Sequence, residues 1–348
     1  MCHNPRLGSD ISNLLYIIII CLTNCYILAW VPVHWLDNTL VKQLGQVSGV
    51  SVDPNNDDNI YLFHRGDRVW NMNVFGRENN YLQRDLGPIS TPTIIVLHSN
   101  GSVIRSWGDG LFYLPHGITV DKHNNVWVTD VALHQVMKFP PSSNSPQIVL
   151  GEQFIPGKDS RHFCKPTSVA VASNGDFFVA DGYCNFRILK FNAAGVKILE
   201  WGRSVLNAVV RPPGDNEFRI PHALTIAEDK DLLCVADREN GRVQCFNINN
   251  GTFVMSLSSP ELGSRIFSVA YSPAKGMFFI INGPKLMGNS EPVCGHVVSA
   301  FDKFKIVARF GLSLKNPHNI AVSSDGKFVY VGELEPNMAW KFVQSEYN

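Results

Sequence analysis

The sequence predicts an all-β protein, a six-bladed β-propeller. Two observations carry this: a short motif that returns along the chain, and the absence of helical periodicity beyond the first few dozen residues. The unit is an alternating apolar strand, a polar turn, a second strand, a loop and a third strand. Its clearest copies open at Leu114-Pro115-His116, Lys165-Pro166-Thr167, Ile220-Pro221-His222 and Asn316-Pro317-His318, and close near Phe139, Phe191, Phe246 and Phe342. Two weaker copies fill the gaps. One runs from Ser48-Gly49-Val50 through Tyr61-Leu62-Phe63 to a third strand at Arg68-Val69-Trp70; the other opens at Ile266-Phe267-Ser268. Turns such as Ser173-Asn174-Gly175-Asp176 punctuate the strands. Such a unit cannot bury its faces alone, so neighbours stack radially, and six copies give six blades.

Ahead of the first copy, residues 11–33 carry no charge and include Leu14-Leu15-Tyr16-Ile17-Ile18-Ile19-Ile20, with Arg6 before them and Asp37 after. This pattern predicts a signal peptide or signal-anchor over residues 1–35 and a propeller over 36–348. The apolar run is about the 20 residues that a bilayer crossing needs, so cleaved and anchored forms both stand. Either way the propeller is expected in the secretory lumen, in granules or secreted. The body cysteines suit an oxidising compartment: Cys164 with Cys184, and Cys234 with Cys245, are close enough in sequence to staple local loops, leaving Cys294 as a free thiol. The triplets at Asn100 and Asn250 are compatible with glycosylation. Lys+Arg and Asp+Glu balance at 30 each, and a chain without a basic stripe is a poor nucleic-acid binder. A closed propeller needs no partner, so a monomer is expected.

The chemistry shows where the repeat departs from itself. At the position after the proline the blades carry Ser48, His116, Thr167, His222, Phe267 and His318 in order. Alternate blades are related by about 120°, so blades two, four and six set three imidazoles in a triangle around the axis. Three histidines with one open position suit zinc. The loop after the second strand faces the same end and offers Arg65, Tyr183 and Arg238, with Arg65 read as standing where other copies have Asp130, Asp181 and Asp237. A Cys164–Cys184 bond would hold the Tyr183 loop, and a Cys234–Cys245 bond the strand before Arg238.

The unit resembles the NHL repeat. Longer motifs are more specific: Phe63-His64-Arg65-Gly66-Asp67, Phe112-Tyr113-Leu114-Pro115-His116-Gly117, Asp181-Gly182-Tyr183-Cys184-Asn185 and Asp237-Arg238-Glu239-Asn240-Gly241-Arg242 look like peptidyl-α-hydroxyglycine α-amidating lyase. That resemblance implies a carbon–nitrogen lyase, peptidylamidoglycolate lyase, performing the second step of peptide amidation and releasing glyoxylate. It implies zinc on His116, His222 and His318, Tyr183 as base, Arg65 orienting the substrate, Arg238 tuning the tyrosine, and calcium on the carbonyls of Val50 and Ile118 and the side chain at 319. The family pattern Met-Pro-His-Asp is Asn316-Pro317-His318-Asn319 here, which removes a charged calcium ligand. With 348 residues there is no room for a copper-dependent peptidylglycine hydroxylating monooxygenase domain, so a separate enzyme is expected to supply the hydroxyglycine. The alternative is a drifted NHL propeller acting as an extracellular binding module.

Overall fold

The computed structural model describes residues 27–205, 211–288, 290–301 and 304–347. Six four-stranded antiparallel sheets are arranged as blades. Their inner strands, Val47–Asp53, Pro115–Val120, Ser168–Val171, Pro221–Ala227, Ile266–Ser272 and Pro317–Val322, line a central channel. The sequence reading found three strands per unit. The fourth, such as Val103–Trp107 or Lys197–Trp201, is the outer edge. It turns much of itself to solvent and therefore lacks a strong apolar signal. Between blades the cores are apolar; Phe178, Ile188, Leu233, Val235 and Phe246, for example, fill the space between blades three and four.

Adjacent blades are also tied at the channel. Val120 N–H donates to Ser51 Oγ, Leu224 N–H to Ser168 Oγ, and Tyr271 N–H to Thr225 Oγ1. Small residues permit this approach, Gly117 in the inner strand of blade two and Gly182 just after the second strand of blade three. A Cβ on Gly117 would meet Thr167 O at 2.5 Å, and one on Gly182 would meet Pro221 O at 2.1 Å. Backbone oxygens cannot yield that distance, so both positions require glycine.

Two sequence expectations are corrected. The first is the boundary at residue 35. Ile27–Val33 is the outer strand of blade six, paired antiparallel with Met338–Tyr347, so the propeller begins at residue 27 or before. The Trp30 indole donates to Gly326 O and packs edge-on against Phe279, while the Trp35 indole donates to Ala339 O. An uncharged run that is buried in a sheet reads like a leader by composition alone. This strand closes the ring by joining the two ends of the chain, and losing a buried Trp such as Trp30 costs about 3–5 kcal/mol. Residues 1–26, with Cys2, Cys21 and Cys25, where the rest of the expected leader would fall, lie outside the described residues.

The second correction is the third strand of blade one. It is Ile94–His98, and Arg68-Val69-Trp70 belongs to a long connection before it. That connection, 65–93, packs Val74 and Tyr81 against Leu114, Val131 and Ala132, and lays Trp70 and Phe75 over one mouth of the channel.

Candidate active site and metal centre

His116, His222 and His318 begin the inner strands of blades two, four and six, and all are buried. Ring centroids are 4.9 Å apart for His116–His222 and 4.7 Å for each of the other pairs, an almost equilateral triangle. One ring nitrogen from each lies within 4.8 Å of the other two. The orientation comes from the intervening blades. His116 Nδ1 is 2.8 Å from Thr167 O, His222 Nδ1 is 2.7 Å from Phe267 O, and His318 Nδ1 is 2.6 Å from Ser48 O. A carbonyl can only accept, so each Nδ1 carries the proton and each Nε2 keeps its lone pair free. This is the outer-shell support that metal-binding imidazoles need. Burial, followed by the charges of neighbouring groups, holds all three well below the ordinary imidazole value, so they are neutral and able to ligate.

Tyr183 leans over this triangle from blade three. Its hydroxyl is 3.1 Å from His116 Nε2 and 3.4 Å from His222 Nε2, and it accepts from Arg238 Nη1 at 3.2 Å. Arg238 is itself fixed. Its guanidinium lies over the Tyr183 and Phe267 rings, and its Nε donates to Glu239 at 2.7 Å. Burial pushes the Glu239 carboxyl up, but Arg265 and Arg238 outweigh it and bring the group below its usual range. Both expected disulfides are present, Cys164–Cys184 beside Tyr183 and Cys234–Cys245 across the strands that precede and follow Arg238, and Cys294 is a buried free thiol.

Arg65 is 1% exposed and stacks over Trp70, which packs in turn on Tyr183 at 4.7 Å between centroids. Its Nε donates to Pro115 O and its Nη1 to Gln46 Oε1, while Nη2 has no partner among the described residues. Burial pushes its pKa down to about 10, against the pull of Tyr183 and Asp130, so it stays charged. The sequence reading of this position was off by one. His64, opposite Val47, holds the register that Asp130 holds opposite Pro115 and Asp237 opposite Pro221. The acids accept a backbone N–H from Tyr113, Cys164 and Arg219 in blades two to four; His64 Nδ1 accepts the equivalent one from Gly45. Arg65 is therefore the counterpart of Arg238, one residue past the acid position. The two arginines enter from blades three steps apart, about 180° around the axis, with Tyr183 between them.

The residues read as a calcium site line the channel below the histidines. Asn319 Oδ1 accepts from Val50 N–H at 2.9 Å, and its Nδ2 faces Ser268 Oγ at 3.3 Å. Three further residues at the channel mouth were not anticipated: Trp70, Phe75 and Lys165. The last follows Cys164, just as Tyr183 precedes Cys184, so the expected disulfide already carried the signal.

Comparison with known proteins agrees with this geometry. The NHL repeat matches residues 112–139, 163–191 and 218–246, which fall on blades two, three and four. The chain is 47% identical over 309 residues to peptidyl-glycine alpha-amidating monooxygenase B of Xenopus laevis, covering 87% of this chain but only 34% of that protein. It is 43% identical over 310 residues to peptidyl-alpha-hydroxyglycine alpha-amidating lyase 2 of Drosophila melanogaster, covering 86% of this chain and 72% of that one. The chain belongs to the peptidyl-α-hydroxyglycine α-amidating lyase family. Among solved structures, a streptogramin B lyase superposes with a TM-score of 0.53 over 92% of this chain and 98% of the other at 12% identity, which shows the fold. In this chain the three histidines, Tyr183 and the two arginines lie on one face of one propeller.

Proposed function

We propose that this chain cleaves peptidyl-α-hydroxyglycine to a peptide amide and glyoxylate at the face that carries Tyr183, with zinc held by His116, His222 and His318. The observation that carries the reading is the meeting of three oriented, neutral imidazoles with a phenol that also accepts from Arg238. All-nitrogen ligation with an open position suits catalytic zinc, and the bound ion would supply Lewis acidity toward the substrate hydroxyl.

The protein's own groups account for the rest. As a phenolate, whose negative charge Arg238 Nη1 would stabilise, Tyr183 takes the proton of the substrate hydroxyl and becomes the neutral phenol. The electron pair of the broken O–H bond forms the aldehyde C=O of glyoxylate as the C–N bond breaks. The amide nitrogen leaves with the C–N bonding pair and receives the proton that Tyr183 took, so no water is consumed. Arg65 Nη2, buried and unpartnered, is available to orient the substrate from the opposite side. Trp70 covers the flank of Tyr183 and limits the entry of water.

Calcium fits less well. A calcium ligand at 319 should offer charged oxygen. Here the amide oxygen is engaged by the Val50 N–H, and the amide nitrogen, a donor, takes the remaining direction. We read Asn319 as bridging blades five, six and one in place of the ion.

Secretory localisation is supported by two disulfides in the body of the chain. Asn100 and Asn250 both sit on exposed outer hairpin turns, which suits glycosylation. The substrate would be supplied by a copper-dependent hydroxylation of peptidylglycine.

The test is glyoxylate release from a synthetic α-hydroxyglycine peptide by purified protein, with and without a zinc chelator. Chelator-sensitive release that zinc restores is expected. No release from folded, zinc-loaded protein would overturn the reading in favour of a binding module.

A further inference from the structure

The residue before the inner-strand proline, or its equivalent, forms a ring at the mouth of the active face: Gln46, Leu114, Lys165, Ile220, Arg265 and Asn316. Two are cations, and their surroundings differ. Arg265 is neutralised, with Nη2 2.6 Å from Glu239 and Nε donating to the same carboxylate. Lys165 pairs with no carboxylate among the described residues. Its Nζ donates to the neutral Oδ1 of Asn79 at 2.8 Å and lies 4.5 Å from the Phe75 ring centroid and 5.9 Å from that of Tyr183.

This placement is built by the backbone. Lys165 has φ +57°, and its N–H donates to Nδ1 of the buried His134. The Cys164–Cys184 bond joins the residue before Lys165 to the residue after Tyr183, so one covalent staple sets the two side chains side by side. Burial, with no acid to oppose it, pushes the lysine down to about 8, so it stays largely cationic at neutral and mildly acidic pH. A half-buried ammonium beside aromatic faces, with only a neutral acceptor, lacks a counter-ion. Among the described residues Arg65, on the other side of Tyr183, is equally without an acid in hydrogen-bond contact.

We propose that Lys165 Nζ is a substrate-positioning group that receives a carboxylate of the peptide substrate, either the terminal carboxylate of the hydroxyglycine or that of an acidic side chain before it. This rests on the lyase reading given above. Lys165 takes no part in proton transfer; it anchors the anion beside Tyr183 while Asn79 and the Phe75 face hold the ammonium.

The experiment is steady-state kinetics of Lys165→Met and Lys165→Arg on four α-hydroxyglycine peptides: free acid or methyl ester at the C-terminus, each with a neutral or an acidic preceding residue. Lys165→Met should raise KM for free acids about 10- to 100-fold, leave kcat within a few-fold and retain zinc, while Lys165→Arg recovers most of the loss. Terminal recognition makes the effect disappear with the esters. Side-chain recognition makes it follow the acidic residue instead, and either pattern supports the proposal. An unchanged KM on all four substrates, or a fall confined to kcat, overturns it. Should the wild type release no glyoxylate, the function proposed above fails, and a binding titration decides the role of Lys165 separately. For that titration a peptide ending in glycine is compared with its C-terminal amide, and with a variant carrying an acidic residue before a terminal glycine amide. A wild-type preference for either carboxylate that Lys165→Met abolishes supports the role; equal affinities overturn it. Unchanged near-ultraviolet circular dichroism of both variants excludes misfolding as the cause.

Discussion

Blades two, four and six carry histidine at a position where blades one, three and five carry other residues, and the triangle of imidazoles follows from that difference. The even blades place His116, His222 and His318 there; the odd blades place Ser48, Thr167 and Phe267. Yet the odd positions are not idle. Their carbonyls accept the three Nδ1–H groups, so each imidazole of one blade is oriented by the backbone of the next. A backbone carbonyl persists whatever the side chain, and this frees the odd side chains for other work. The Phe267 ring supports Arg238, and Thr167 Oγ1 ties blade three to Pro221 O of blade four. A six-fold repeat thus becomes a three-fold site of alternating ligands and orienters.

The sharpest way to break this alternation is to replace one member of each class. His222→Ala should abolish both stoichiometric zinc and glyoxylate release, because two imidazoles do not complete the site. Thr167→Ala keeps its carbonyl and should keep the zinc. It loses one side-chain hydrogen bond, worth about 1 kcal/mol. Metal content by atomic emission, measured beside activity, checks both. Zinc retained at full stoichiometry in His222→Ala would show that the triangle is not the metal centre.

Tyr183→Phe separates the site in the other direction. The ring packing on Trp70 and beneath Arg238 survives, and so do all three imidazoles. Turnover should fall about 10²- to 10⁴-fold, the range of a lost general base, with zinc content unchanged. Normal turnover would exclude Tyr183 as the base.

The legible and illegible parts of the molecule divide along physical lines. Repetition made the blades and the histidine alternation readable, since a departure is visible only against copies of itself. The outer strands were missed because exposed edges carry little apolar pattern. Ile27–Val33 was assigned to the leader because an uncharged strand buried in a sheet and an uncharged leader have one composition. Arg65 was set one register off because His64 takes over the hydrogen-bonding duty of an acid, accepting a backbone N–H through Nδ1 as a neutral imidazole. Burial keeps it neutral by holding its pKa down to about 4. Lys165 carries no motif, and its significance exists only once the disulfide sets it beside Tyr183.

The smallest expected effect concerns the other end of the same inner strands. Below each histidine-ring position the residues are small, Gly49, Gly117, Ser168, Ala223 and Ser268, until blade six supplies Asn319. Gly117, Ser168, Ser268 and Asn319 line a channel cavity of about 290 Å³. There the amide accepts from the Val50 N–H and donates to Ser268 Oγ, so it is paired without a cation. The melting temperature of the wild type should therefore be the same in millimolar calcium and in excess chelator selective for it. Asn319→Asp replaces an amide donor with a half-buried negative charge, so in the chelator it should melt below the wild type. Added calcium should restore it by about 3 °C, as a ligand bound only by the folded state does. The readout is stability rather than turnover, so it separates the channel from the three-histidine site above it. A wild-type melting temperature that rises with calcium would mean that the amide oxygen ligates the ion despite its bond to Val50, and the channel would then be a metal site at both ends.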